Sequence, residues 1–171
     1  MHMILLNADV IIDLHRLNVW NQVVKKNIIY ISSIILRQEV HFFEDYNGVR
    51  YSIDLLKDVG SLFSEISISA EDLKIFSQQF DRVFEAELHS GEKEALKILQ
   101  DNNEFLFCTC DKVAIKAIAL LGKREQGKSF EKLLKSSGLT KKLEFKHTEK
   151  YFRKYLDEGS IMRIQSYGIK K

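Results

Sequence analysis

The 171-residue sequence has no proline, two cysteines, one tryptophan and eight glycines. With no proline and no low-complexity run, nothing in it marks a linker. One domain with a sizeable core is the expectation at this length. Cys108 and Cys110 flank a single threonine. That spacing is too close for an ordinary disulfide, and two cysteines are too few for a structural zinc site. A reducing, cytoplasmic setting fits them. The first apolar run is short, lacks a basic leader and soon meets Asp9 and Asp13. Neither a signal peptide nor a membrane span is expected from it. Neither G-x-G-x-x-G nor G-x-x-x-x-G-K-[ST] occurs, so the chain lacks the glycine cradles of dinucleotide and P-loop sites. His2, His15, His41, His89 and His147 are scattered without H-x-x-x-H spacing and read as surface or partly buried residues.

Charge is scarce in sum and uneven in place. The formal net charge is +2, yet residues 123–171 hold 14 Lys/Arg against 6 Asp/Glu. The preceding 122 residues hold 12 basic and 18 acidic ones. An acidic body with a basic tail suits a metal site beside a polyanion-binding surface. A solvated, lysine-rich helical end is the competing reading.

Buried runs alternate with helical ones along the chain. Met3–Leu6 reads as a strand and Asp9 to Lys26 as a helix. Ile28–Ile31 reads as a second strand, followed by a helix over Ile34–Val40 capped by Ser32 or Ser33. Asn47-Gly48 between aromatic flanks predicts a hairpin of Phe42–Tyr46 with Val49–Ile53. A short strand over Ser64–Ser67 precedes a helix over Ala70–Phe84. Ser90 caps a helix over Gly91–Gln100, and Glu104–Thr109 is a central strand. Helices follow over Lys112–Leu121, Phe130–Leu134 and Glu149–Leu156. Cys108 and Cys110, at strand alternation, point to one face as small core residues. Trp20 and the phenylalanines read as core rather than as a base-stacking platform. The fold class is therefore α/β, with a mainly parallel sheet between helical layers and a small hairpin insertion.

Two strand ends carry polar groups, Asn7-Ala8-Asp9 and Thr109-Cys110-Asp111, at the edge where open α/β sheets bind ligands. Two helices add Glu39 and Glu92. If both face that edge, three carboxylates and a carboxamide converge, and packed like charges call for a cation. Oxygen-only ligands favour Mg²⁺ or Mn²⁺. Singly, each acid has a plainer role: Asp9 and Asp111 as helix caps, Glu39 in solvent, Glu92 at a helix dipole.

Their joint order resembles the PIN-domain family of metal-dependent ribonucleases. The matching segments are LLNADVIIDL, ISSIILRQEV with Glu39, LHSGEKEAL with Glu92 and LFCTCDKVAIKAIALLG with Asp111. KSFEKLLKSSGL resembles the tail of the toxin-like branch. The resemblance covers most of the chain and rests on motifs that are unspecific singly. It implies one three-layer α/β/α domain over residues 1–171, with 123–171 as its basic helical extension. It further implies an endoribonuclease using Mg²⁺ or Mn²⁺. Its site would be Asn7, Glu39, Glu92 and Asp111, with the metal held by Asp9, Glu39, Glu92 and Asp111. Expected partners are RNA and a small antitoxin protein, with a homodimer left open. A non-catalytic RNA-binding or protein-interaction module on the same plan is the alternative.

Asn7 is the departure, because the family's first metal-binding Asp falls there. A carboxamide oxygen can coordinate a cation but brings no charge. Three explanations stand open: a degraded, RNA-binding domain, a takeover by Asp9, or an asparagine introduced to silence a toxic nuclease. The Asn7-x-Asp9 pair also resembles haloacid-dehalogenase-type phosphatases, whose nucleophile is the first Asp; here it is Asn, with no Thr-Gly following. For RNA contact, the expected residues are Lys141, Lys142, Lys146, Lys150, Arg153 and Lys154, with Phe145, Tyr151 and Phe152 between them.

Overall fold

The computed structural model describes residues 2–170. Strand β1 (Met3–Leu6) runs directly into α1 (Ala8–Arg16), and α2 (Trp20–Lys26) follows. The single helix expected over Asp9–Lys26 is thus two, because Asn18 takes a left-handed φ of 55° between them. After β2 (Ile28–Ser32) comes a π-helical turn, Ile35–Glu39, where an α-helix was expected. Neither serine caps it: Ser33 donates to the Ile66 carbonyl at 3.4 Å. Its entry is held instead by Glu94, which accepts the Ile34 N–H at 2.9 Å.

The hairpin at Asn47-Gly48 forms from β3 (Phe42–Glu44) and β4 (Arg50–Ser52), paired antiparallel as a separate two-stranded sheet. Next come β5 (Ser64–Ile66), α3 (Ala70–Ser77) and α4 (Arg82–Glu87). The expected helix over Ala70–Phe84 breaks here. Asp81 caps α4 by accepting the Phe84 N–H, while Phe80 bridges to Ile169 near the chain end. Then follow α5 (Ser90–Asp101), β6 (Phe105–Cys108) and α6 (Lys112–Leu120). Strand β7 (Gly127–Lys128) and helices α7 (Phe130–Ser136) and α8 (Glu149–Ile164) end the chain. Two residues of β7 carry no readable pattern. Helix α8 runs eight residues past Leu156 because Gly159 lets it lie against α6: a Cβ there would stand 2.5 Å from the Lys116 carbonyl oxygen.

The main sheet is parallel, in the order β5-β2-β1-β6-β7. Strands covered on both faces read as near-continuous apolar runs, as MILL and FLFC do. One face packs Ile4, Leu6 and Cys108 against α1, α2 and α7. The other packs Leu5, Phe105 and Phe107 against α3 to α6 and α8. Cys110 shares the first face with Cys108. The architecture is three-layer α/β/α. The chain builds outward from β1 through β2 to β5, then crosses to β6 and β7 on the other side. The order therefore reverses between β1 and β6, and the crevice beyond their carboxyl ends is where this architecture places a ligand. Among the described residues no helix is long and apolar enough to cross a membrane.

Candidate functional site

Register builds the site. Leu6 pairs with Cys108, so Asn7 and Thr109 leave the sheet side by side, and the Asn7 N–H donates to the Cys108 carbonyl at 3.0 Å. Asn7 caps α1, its Oδ1 accepting the Ala8 N–H at 2.9 Å. Its amide nitrogen then has two hydrogens to place in a buried position. They go to Thr109 Oγ1 at 2.9 Å and Glu92 Oε1 at 3.3 Å. Thr109 Oγ1 accepts a second bond, from the Asp111 N–H at 3.1 Å. Asp111 in turn caps α6, its Oδ1 accepting the N–H groups of Val113 (2.8 Å) and Ala114 (3.0 Å). A continuous chain thus links Glu92, Asn7, Thr109 and Asp111 across the switch point.

Helix α5 brings the other acids. Glu92 is only 3% exposed, and its Oε2 accepts the His89 N–H at 3.0 Å. The cap position is therefore His89, one residue before the expected Ser90. Burial first, and then the charge of Asp111, push the Glu92 carboxyl above its ordinary range, against the hydrogen bonds from His89 and Asn7. Glu39, at the end of the π turn, accepts the Gly91 N–H at 3.0 Å. This approach needs a glycine, since a Cβ on Gly91 would come within 2.5 Å of Glu39 Oε2 and Ile35. Glu39 and Glu92 thus hold the main-chain amides of Gly91 and His89, on either side of Ser90, at the start of α5.

Asp9 has a different job. Its Oδ1 accepts the Val10 N–H at 2.7 Å and its Oδ2 the Cys110 N–H at 2.9 Å, so it braces the two strand-to-helix junctions to each other. Burial outweighs both bonds and, with Asp111 and Asp13 nearby, raises its carboxyl to about 7.

The donor set has the oxygen-only chemistry that Mg²⁺ and Mn²⁺ take. Its arrangement does not suit a cation. Asn7 directs N–H donors, not a lone pair, at Glu92, and both oxygens of Asp9 are used by main-chain amides. Among the described residues no group of three His, Cys, Asp or Glu side chains is placed to hold a metal ion. The neutral Asn7 amide donates one hydrogen bond to the Glu92 carboxylate.

Two residues had little signal in the sequence. Thr109, fully buried, is the hinge of the hydrogen-bond chain; the Thr-x-Asp pattern marks it, but only the fold gives it a partner in Asn7. Glu94, also buried, accepts the N–H groups of Ile34 (2.9 Å) and Ile68 (3.3 Å). Two residues from Glu92 on a helix, it faces roughly the opposite way and acts as a buried clamp.

The basic tail divides. Lys146 and His147 bond buried Asp13 at 2.9 and 2.7 Å, and Arg16 joins them. Arg153 pairs with Glu149 at 2.9 Å. Lys141, Lys142, Lys150 and Lys154 are exposed, with no ion-pair partner among the described residues. Phe152 belongs to the core, whereas Phe145 is 57% exposed. Tyr151 is pushed up to about 12 by burial, then by Tyr155, Asp111, Cys110 and Asp9. No family model matches the chain, and neither a curated protein nor a solved structure does.

Proposed function

We propose that this chain binds RNA at the carboxyl edge of its sheet, on the plan of PIN-domain ribonucleases, and that Asn7 has uncoupled binding from metal-dependent cleavage. The observation that carries this reading is the Glu92–Asn7–Thr109–Asp111 chain, in which a neutral amide donates to Glu92 and to Thr109, which accepts the Asp111 main-chain N–H, where the family's plan would use a cation. RNA is the ligand class because the family plan supplies it and because exposed lysines of the tail lie beside that edge.

A second reading keeps the chemistry. Glu39 and Glu92 hold main-chain amides at the start of α5, Asp111 caps α6, and Glu39 Oε2 and Asp111 Oδ2 have no hydrogen-bond donor among the described residues. A turned Asn7 would offer Oδ1 as a fourth oxygen, giving a Mg²⁺- or Mn²⁺-dependent endoribonuclease of lowered affinity. One assay separates the two: binding and cleavage of single-stranded RNA in chelator, in Mg²⁺ and in Mn²⁺. The binding reading expects equal affinity in all three and intact RNA throughout. Cleavage that appears with Mn²⁺ and vanishes with chelator selects the enzyme.

A further inference from the structure

Helix α8 carries two stripes. Tyr151 and Tyr155 are one turn apart, as are Lys150 and Lys154, so the lysine stripe runs beside the tyrosine stripe. The Phe145 ring, just before the helix, meets Tyr151 edge-on at 5.5 Å, and Tyr151 meets Tyr155 edge-on at 4.8 Å. Lys154 Nζ lies 5.1 Å and Lys116 Nζ 5.4 Å from the centroid of the Tyr155 ring. Phe152 and Leu156 are buried in the core, and Tyr151 and Tyr155 pack against it with part of each ring left exposed. The tyrosines are half-buried and their hydroxyls have no hydrogen-bond partner among the described residues, so the ladder reaches the surface.

Ion pairing sharpens the contrast. Lys132 and Arg153 pair with Glu149, and Lys135 with Glu131. Lys150 and Lys154, the two lysines flanking the tyrosines, have no carboxylate partner among the described residues. The alignment of α8 on α6 fixes where the track leads. Lys116 pairs with Glu158 at 3.0 Å, and Arg163 donates to the Leu120 carbonyl at 2.7 Å. The helices therefore run parallel and in step. In that register Tyr155 lies beside the first turn of α6, and Tyr151, in the first turn of α8, lies one turn earlier, level with the strand end at Thr109 and within the field of Asp111 and Asp9.

We propose that Phe145, Tyr151 and Tyr155, with Lys150 and Lys154, form a stacking track that leads single-stranded RNA to the Asn7–Asp111 edge. The proposal rests on the RNA reading above and adds the strand's path and form. Bases stack on the rings and phosphates lie along the lysines, the combination by which proteins hold single strands without reading sequence. A duplex is excluded, because its bases are already stacked on each other.

The test is fluorescence anisotropy with three probes: a single-stranded oligoribonucleotide, the same length of abasic backbone, and a duplex. Native protein should bind the single strand at least about tenfold more tightly than the abasic probe. Tyr151→Leu and Tyr155→Leu keep apolar bulk but lose the stacking ring. Each should weaken single-strand binding about fivefold or more and leave abasic binding unchanged. The double variant Lys150→Gln/Lys154→Gln should lower the slope of log affinity against log salt by about 1.4. If native protein binds RNA but both leucine variants bind equally well, or the duplex competes evenly, the track is wrong and the RNA reading stands. If native protein binds none of the probes, both fall.

Discussion

At the scale of single residues, the proposed reading turns on Asn7. It is the one neutral group among the acids, and its amide donates to Glu92 and Thr109. Asn7→Asp removes both donors and sets a carboxylate against one already pushed up by burial. In chelator the variant should lose on the order of 1–3 kcal/mol in chemical denaturation, the usual cost of leaving buried polar groups unsatisfied. With Mn²⁺ at a hundredfold excess over its dissociation constant, about 2.7 kcal/mol should return by mass action. If the variant shows neither the loss nor the metal-dependent recovery, Asn7 is not a silenced ligand. In the sequence this position reads as a departure from the pattern that the chain resembles. The direction of its amide is not legible there, since that depends on Thr109 and Glu92 more than eighty residues away. Asp9 shows the same limit. Sequence spacing set it beside Asn7, but only the register of β1 with β6 puts the Cys110 N–H where Asp9 must satisfy it.

At the scale of elements, two ties position α8. The first is the seat of Gly159 on α6. Gly159→Ala would force a methyl to within 2.5 Å of the Lys116 carbonyl. It should cost about 1–3 kcal/mol, as overpacking does, and speed hydrogen exchange in α8 before α1. Equal protection in both helices would show that the close approach is unimportant. The second tie is Asp13. Burial alone would raise its carboxyl, but the hydrogen bonds from His147 and Lys146 outweigh it and hold the group below its ordinary 3.8. A depressed acid contributes stability that is complete above the unfolded value and lost as pH falls through the folded one. The stability difference between native protein and Asp13→Asn should therefore be largest near neutral pH and shrink below about pH 4. A difference that stays constant across that range would remove the charge from the account. Of these ties the sequence signals neither, because both join residues far apart in the chain. The elements themselves were readable where periodicity was long or buried, as in β1, β6 and α6. They differ from the sequence reading where a left-handed residue cuts a run, as at Asn18, where a tertiary partner does, as at Phe80–Asp81, or where a distant side chain such as Glu94 replaces a local cap.

At the scale of the molecule, strand order sets one switch point. Reversal between β1 and β6 brings Asn7 and Asp111 together, and the parallel seat of α8 on α6 lays a lysine-flanked aromatic ladder beside them. The polarity of the sequence, acidic in front and basic behind, folds back so that a basic helix borders the acidic edge. Charge counts alone left a solvated tail and a binding surface undivided; the fold separates lysines spent on Asp13 from those left for solvent or ligand. The account's central claim is that single-stranded RNA lies along this border. The most direct test is an RNA titration of isotopically labelled native protein in chelator, followed by nuclear magnetic resonance. Shifts should concentrate at the side-chain amide of Asn7, the main-chain amides of Thr109, Asp111 and Lys112, and the first two turns of α8, leaving the β3–β4 hairpin unmoved. Shifts confined to the hairpin or to the far end of α8, or none at all, would contradict it.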